Sequence, residues 1–265
     1  MFRKLLKYLR LARAYVSLNW RIHWQYKAAF CSQALAMALN DLAWVSFWAL
    51  FFTAFPVVKG WTAKEVVTLW ALAAAGFGLA HAICGNALLL PQIVTRGQID
   101  VWMLYPRAVL PHLLLGKMSA TACGDAIFGY AVYIFFVRPD APHLLLFALL
   151  TIAIAILFVG FSVLAGSLAF YVGNSETLSE QWFFSMITFS TYPNSLFDGW
   201  IKIVLFTLIP AGFVSALPVE ALRNLSLTDA LLTFAGALAV LSVGSAAFYI
   251  GLSRYESGNL IEMRG

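Results

Sequence analysis

The chain has 265 residues, of which 62% are hydrophobic and only 11% charged, and its mean hydropathy is +0.84. Soluble domains carry about 45–50% apolar residues, so this composition excludes an ordinary soluble fold and indicates a multi-pass helical membrane protein. A spanning helix takes about 20 residues, so six spans and their connections leave no room for a soluble catalytic domain, and the net charge of +5 belongs to the connections.

Residues 1–28 carry Arg3, Lys4, Lys7, Arg10, Arg13, Arg21 and Lys27 without one acidic residue, while Leu5, Leu9, Ala12 and Val16 recur at helical spacing. This predicts a cytoplasmic amphipathic helix in the membrane interface, apolar side towards acyl chains and cations towards anionic headgroups. Ala34-Leu35-Ala36 resembles a signal-peptide cleavage site, but the apolar run before it is too short and continues past it. The membrane domain is expected over 29–254, with spans near 29–56, 65–89, 108–137, 144–172, 178–197 and 229–252. Residues 255–265 form a cytoplasmic tail.

Between the second and third spans, residues 91–107 are expected to form a short helix at the water boundary. Pro91 and Gly97 interrupt the preceding helix, Ile99 to Tyr105 allow about two turns, and Pro106 stops them. Ile99, Trp102 and Met103 share one helical face, flanked by Arg96 and Asp100. Two apolar turns there suit a soluble partner, lipid being the plainer alternative.

The third span carries Gly116, Ala120 and Gly124, a small residue at every fourth position that suits close helix packing in lipid. Asp41 and Asp125 fall near the middle of the first and third spans. A carboxylate at that depth costs a few kcal/mol and needs a polar cavity, a proton or a partner; Asn40, Gln33, His81 and Lys117 are the candidates. Trp182, Phe183, Phe184 and Phe189 crowd the fifth span, suited to lipid packing or to an aromatic wall for an amphiphilic substrate. Farther on, the apolar run Ile201 to Leu217 is broken by Pro210 and followed by Pro218. An even number of crossings is kept if 198–224 is a re-entrant hairpin that enters from the outer face and turns near Pro210. With both termini inside, the cytoplasmic side gathers the N-terminal cations with Arg96, Arg107, Arg254 and Arg264, against Lys59, Lys64, Arg138 and Arg223 outside, the usual bias.

The string Thr95-Arg-Gly-Gln-Ile-Asp-Val-Trp-Met-Leu-Tyr-Pro106 resembles a Gly, Asp and Pro pattern of bacterial ABC type 2 transporter permeases, in a branch of uncharacterised export permeases. Thr191-Tyr-Pro-Asn-Ser-Leu-Phe-Asp-Gly-Trp200, followed by Ile209-Pro210 and Leu217-Pro218, is similar to a second stretch of that branch, and Arg254-Tyr-Glu-Ser-Gly258 to its ending. Gln98 departs from the pattern, where an acidic residue is common. The resemblance implies an all-α integral membrane fold with an N-terminal interfacial helix, six transmembrane helices, a cytoplasmic coupling helix and an extracytoplasmic re-entrant hairpin. It implies a permease of an ATP-binding cassette exporter in the bacterial inner membrane, paired with an identical or related permease and driven by separate ATPase subunits, with lipid around it and no nucleic acid partner. Arg96, Gly97, Ile99, Asp100, Trp102, Met103, Leu104 and Pro106 would then meet the ATPase. Asp41, Asp125, Trp182, Phe183 and Phe184 are the candidates for lining the path.

ATP and Mg belong to the partner on this reading, because the chain has no phosphate-cradling loop: before Gly116-Lys117 the first glycine position is Pro111, and the hydroxyl position after it is Met118. No cofactor, metal site or catalytic residue is expected in the chain. His23, His81, His112 and His143 lack helical partners at ligand spacing, and Cys31, Cys84 and Cys123 fit as small packing residues. Two other classes compete. A membrane enzyme on a lipid-linked substrate would use Asp41, Asp125 and His81, which lie at different expected depths; an ion-coupled transporter would be expected to show an internal repeat, which is not apparent.

Overall fold

Apolar runs of spanning length become long helices, and the proline- and glycine-broken stretches between them become short ones. The structure, a computed structural model, describes residues 2–173 and 175–256, without the side chains of residues 2–7 and 9. The side chains of Arg3, Lys4, Leu5, Lys7 and Leu9, and the tail from Ser257 with Arg264, lie outside the described residues.

Helix α1 (Phe2–Gln25) and helix α2 (Lys27–Ala54) are separated by a turn at Tyr26, close to the expected boundary at 28. A small ribbon follows, β1 (Val57–Val58) antiparallel to β2 (Trp61–Thr62), the one departure from an all-helical expectation. Lys59 and Gly60 turn it with φ of 46° and 82°, the left-handed pair that matches strand twist. Helix α3 (Ala63–Ile83) starts on a capping box in which the Thr62 N–H donates to Glu65 Oε2 at 2.8 Å.

The segment after α3 holds α4 (Leu90–Thr95), α5 (Ile99–Met103) and α6 (Val109–Leu114). Helix α7 (Ala120–Val132) is prolonged by a π turn to Val137, and α8 (Ala141–Gly166) by a 3-10 turn to Phe170. Then come α9 (Glu176–Ser190), α10 (Trp200–Val204), α11 (Gly212–Ser215), α12 (Leu217–Asn224) and α13 (Leu227–Leu252). Among the described residues, five helical stretches are long and apolar enough to cross a membrane: α2, α3, α7 with its π turn, α8 with its 3-10 turn, and α13. Helix α9 has 15 residues, about 22 Å at about 1.5 Å each, short of a hydrocarbon layer of about 30 Å.

The third expected span is thereby corrected. Residues 108–137 are not one helix, because 115–119 turn away and bond to the end of α3: the Gly85 N–H donates to the Lys117 carbonyl at 2.9 Å, and the Ser119 N–H to the His81 carbonyl at 3.1 Å. The expected stripe of small residues is split by the same break. Gly116 lies outside α7, and Gly124 faces Ala34 of α2.

Helix α3 packs on α7 and α8, α8 on α13, and α2 on α7. The α3–α7 contact is backbone on backbone at Gly78, where an added Cβ would strike the Ala126 nitrogen. One core joins Val66, Leu69, Leu72, Phe147, Ile154, Phe158, Phe161 and Met186. A second, at the other end, joins Leu90, Ile93, Val94, Ile99, Leu110, Leu113, Val163 and Phe248. Outward faces are apolar too, with Leu35, Leu39, Phe47 and Leu50 of α2 and Leu231, Leu238, Val243 and Ile250 of α13 exposed. A protein apolar both inside and out is an integral membrane protein. Cys31 is exposed on this surface, Cys84 half-buried and Cys123 buried.

Residues 198–224 form two helical limbs. Past α10 the chain folds back at Thr207–Ala211, where the Ile209 N–H donates to the Val204 carbonyl at 2.9 Å and the Gly212 N–H to the Leu205 carbonyl at 2.8 Å. The bend meets α9 and α13: Trp182 Nε1 donates to the Leu208 carbonyl at 3.2 Å, and Phe213 packs over Gly236, in the third turn of α13. At the far end of α12, Arg223 grips Glu65 at 2.7 Å, so α12 ends beside the start of α3.

Candidate functional site

Two places gather the residues that composition and spacing singled out. The first is a cavity of about 190 Å³ between α2, α3, α7, α8 and α9, walled by Met37, Trp70, Phe77, Phe158, Phe184 and Ile187, and by both Asp41 and Asp125. The two aspartates, 84 residues apart in sequence, come close enough to interact directly. Asp41 is 6% exposed and Asp125 2%. Asn40 approaches Asp41, whereas neither oxygen of Asp125 receives a hydrogen bond from the described residues. The other expected partners are elsewhere. Gln33 and Lys117 line a separate cavity near His23 and Met118. His81 is fully buried, Nδ1 3.0 Å from the Phe77 carbonyl and Nε2 3.1 Å from Ser162 Oγ, and is not part of this cavity wall.

The three aromatic candidates separate. Phe184 is exposed and lines the cavity. Phe183 is buried among Phe77, Phe158, Phe161 and His81. Trp182 stacks edge-on to Phe161 at 5.2 Å and holds the Leu208 carbonyl. Trp70, Phe77, Phe158 and Ile187 also line the cavity and were missed, because period alone does not say which apolar face is empty.

The second place is the α4–α5 segment. Gly97, with φ of 67°, turns the chain between the two short helices, a backbone that favours glycine. The expected apolar face of Ile99, Trp102 and Met103 is divided, which corrects its orientation. Ile99 is fully buried in the second core. Trp102 lies over Gly116, where any Cβ would meet its ring, and 5.8 Å from the His112 ring. Met103 is exposed, as are Val101, Leu104 at 85% and Tyr105; Pro106 follows, also exposed. The outward apolar surface is therefore Val101, Met103, Leu104 and Tyr105.

Polar contacts fix the segment from behind. Thr95 Oγ1 donates to Glu176 Oε1 at 2.7 Å, and Arg96 Nη2 lies 3.7 Å from Glu176 Oε2, which ties α4 to the first turn of α9. Asp100 acts with burial to push the Tyr255 hydroxyl up to about 12. Tyr15 of α1 reaches His112 Nδ1 at 3.1 Å, and Asn19 Nδ2 donates to the Leu115 carbonyl at 3.2 Å. Burial, followed by the charge of Arg107, holds the His112 imidazole below its ordinary value.

No curated protein and no solved structure matches the chain. The family described as ABC-2 family transporter protein matches residues 38–258, from the middle of α2 to just past α13. The chain therefore belongs to the ABC-2 transporter family and is an integral membrane permease of ATP-binding cassette transport, a subunit class that associates with an ATP-binding cassette ATPase.

Proposed function

We propose that the chain is the transmembrane subunit of an exporter in the bacterial inner membrane, with both termini cytoplasmic. Two such permeases, identical or related, enclose the path, and two separate ATPases carrying ATP and Mg dock beneath. Helix α9 completes a sixth crossing with the turns that follow it, and residues 198–224 re-enter from the outer face. The contacts of Leu208 with α9 and of Phe213 with the third turn of α13 support that hairpin.

The observation that carries this reading is the asymmetry of the α4–α5 segment, locked into the core through Ile99 and presenting Val101, Met103, Leu104 and Tyr105 outward. A short element that is rigid behind and apolar in front serves as a push-rod. Closure of the ATPases would move α4, and Thr95 and Arg96 would pass the displacement to α9 through Glu176. Helix α9 carries Phe184 and Ile187 in the wall of the cavity that holds Asp41 and Asp125, so a rigid-body shift of α9 reshapes the path, with Trp182 and Phe183 bearing on the hairpin and core.

The test is co-purification of the ATPase with the permease. Val101→Glu with Leu104→Glu places charge in the interface and should release the ATPase while leaving the stability of the permease within about 0.5 kcal/mol, as exposed substitutions do. Retention of the ATPase at the wild-type level would remove the docking assignment.

A further inference from the structure

The cleft alongside α9 carries one sign of charge. Next to the cavity of Asp41 and Asp125 lies a second of about 350 Å³ that reaches Gln92 and Glu180, and Phe77, Phe184 and Ile187 stand in the walls of both. The ionisable residues around the two are Glu180, Asp41 and Asp125, and neither wall contains Lys, Arg or His.

Asp125 is the sharpest feature. Its side chain is almost wholly buried and faces the cavity, yet none of the described residues donates to either oxygen. Asp41 beside it leaves Oδ2 without a donor. Carboxylates taken out of water are costly unless a positive or donating group compensates them, and two together repel. A proton shared between the two carboxyls removes one of the two charges, and the charge that remains suits a cation from outside the chain.

The walls narrow its chemistry. A hard divalent cation wants about six or more oxygen ligands, whereas most of this wall is hydrocarbon and the Thr191 hydroxyl already donates to the Thr188 carbonyl at 2.8 Å. Aromatic rings, by contrast, attract organic cations over their faces, and Trp70, Phe77, Phe158 and Phe184 all stand in the wall. The volume is below that of drug-sized sites, about 300–1,000 Å³. We propose that this cavity binds a small monovalent organic cation with apolar substituents, its charge at Asp125 and Asp41 and its apolar body against Trp70, Phe77, Phe158 and Phe184. As a statement about cargo this rests on the path reading above; as a statement about binding it stands on the cavity alone.

The experiment is equilibrium binding of radiolabelled benzyltrimethylammonium to the full-length chain in lipid nanodiscs. Expected is saturable binding, displaced by unlabelled cation and not by the anion benzenesulfonate or the neutral isostere neopentylbenzene. Asp41→Asn combined with Asp125→Asn removes both carboxyls and should weaken it by about tenfold or more, Trp70→Leu by severalfold, and Ala74→Phe, which fills the cavity, should abolish it. Asp125→Glu keeps the charge and should bind, which separates lost recognition from lost folding. Absence of saturable binding to the wild type, equal displacement by the anion, or wild-type affinity in the double Asn variant would overturn the site. If binding depends on the two carboxyls but the ATPase-driven complex moves no such cation, the site stands and the path reading falls. If the complex moves other solutes while the chain binds no cation, the path reading stands and the site falls.

Discussion

At His112 the local chemistry sets a pH dependence. Burial and the neighbouring Arg107 both disfavour the imidazolium, so the folded value lies below the ordinary 6.5. The unfolded chain then binds more protons, and stability rises with pH across that window. The contribution is fully present above 6.5 and is lost as pH falls through the folded value. Thermal unfolding of the purified chain between pH 8 and pH 5 should show a decline that His112→Gln removes; an unchanged slope in the variant would assign the decline to other groups. Asp125 makes a second residue-scale prediction. A buried carboxyl that no charged or donating side chain compensates weakens the empty fold. Asp125→Leu should therefore raise the unfolding temperature of the unliganded chain. A lowered temperature would mean that Asp125 holds the helices together.

Among the elements, the α4–α5 segment separates packing from coupling. Ile99 is fully buried, so Ile99→Ser leaves a cavity and an unsatisfied hydroxyl and should cost about 3 kcal/mol of stability. Glu176→Gln keeps an acceptor for Thr95 but loses the charge facing Arg96, at a cost of about 1 kcal/mol. It should bind the ATPase normally while lowering transport per ATP hydrolysed; wild-type coupling in Glu176→Gln would break the proposed link between α4 and α9. The location of this segment was legible, since Pro91 sits in the first turn of α4, Gly97 takes the left-handed turn after it and Pro106 follows α5. Its facing was not, because Ile99, Trp102 and Met103 share a face by period whichever way the helix is rolled. The break in the third span was hidden likewise: Val109 to Leu115 is apolar enough to extend a span, and it is the bonds from Gly85 to Lys117 and from Ser119 to His81 that draw residues 115–119 aside. Asp41 and Asp125 stood out by cost, but their meeting depends on how α2 and α7 pack, which no local pattern encodes.

For the whole molecule, the ends of the elements sort into two groups that fix the orientation to be tested. The ribbon at Lys59, the turn at Arg138–Asp140 and the end of α12 share one end of the bundle. Arg223 joins that end together, bonded to Glu65 at 2.7 Å and to Glu220 at 2.9 Å. The α4–α5 segment shares the other with the start of α9, through Arg96 and Glu176, and with the end of α13, through Ile99 and Phe248. Arg96, Arg107 and Arg254 lie at this second end with basic α1, a cation bias that supports the proposed cytoplasmic assignment of this end. Single cysteines placed in a background lacking Cys31, Cys84 and Cys123 report the sides directly. A membrane-impermeant maleimide should reach positions 59, 140 and 220 from outside in intact cells, and positions 96, 176 and 256 only after the inner face is opened. The decisive position is 220. The pairing of Arg223 with Glu65 puts it on the side of Lys59, and Asp198 lies 3.8 Å from Lys59, so on the proposed topology residues 198–224 enter and leave through one face. Labelling of 220 only from the cytoplasm, with 59 still outside, would separate Glu220 from Glu65 by the membrane and replace the hairpin with a further crossing.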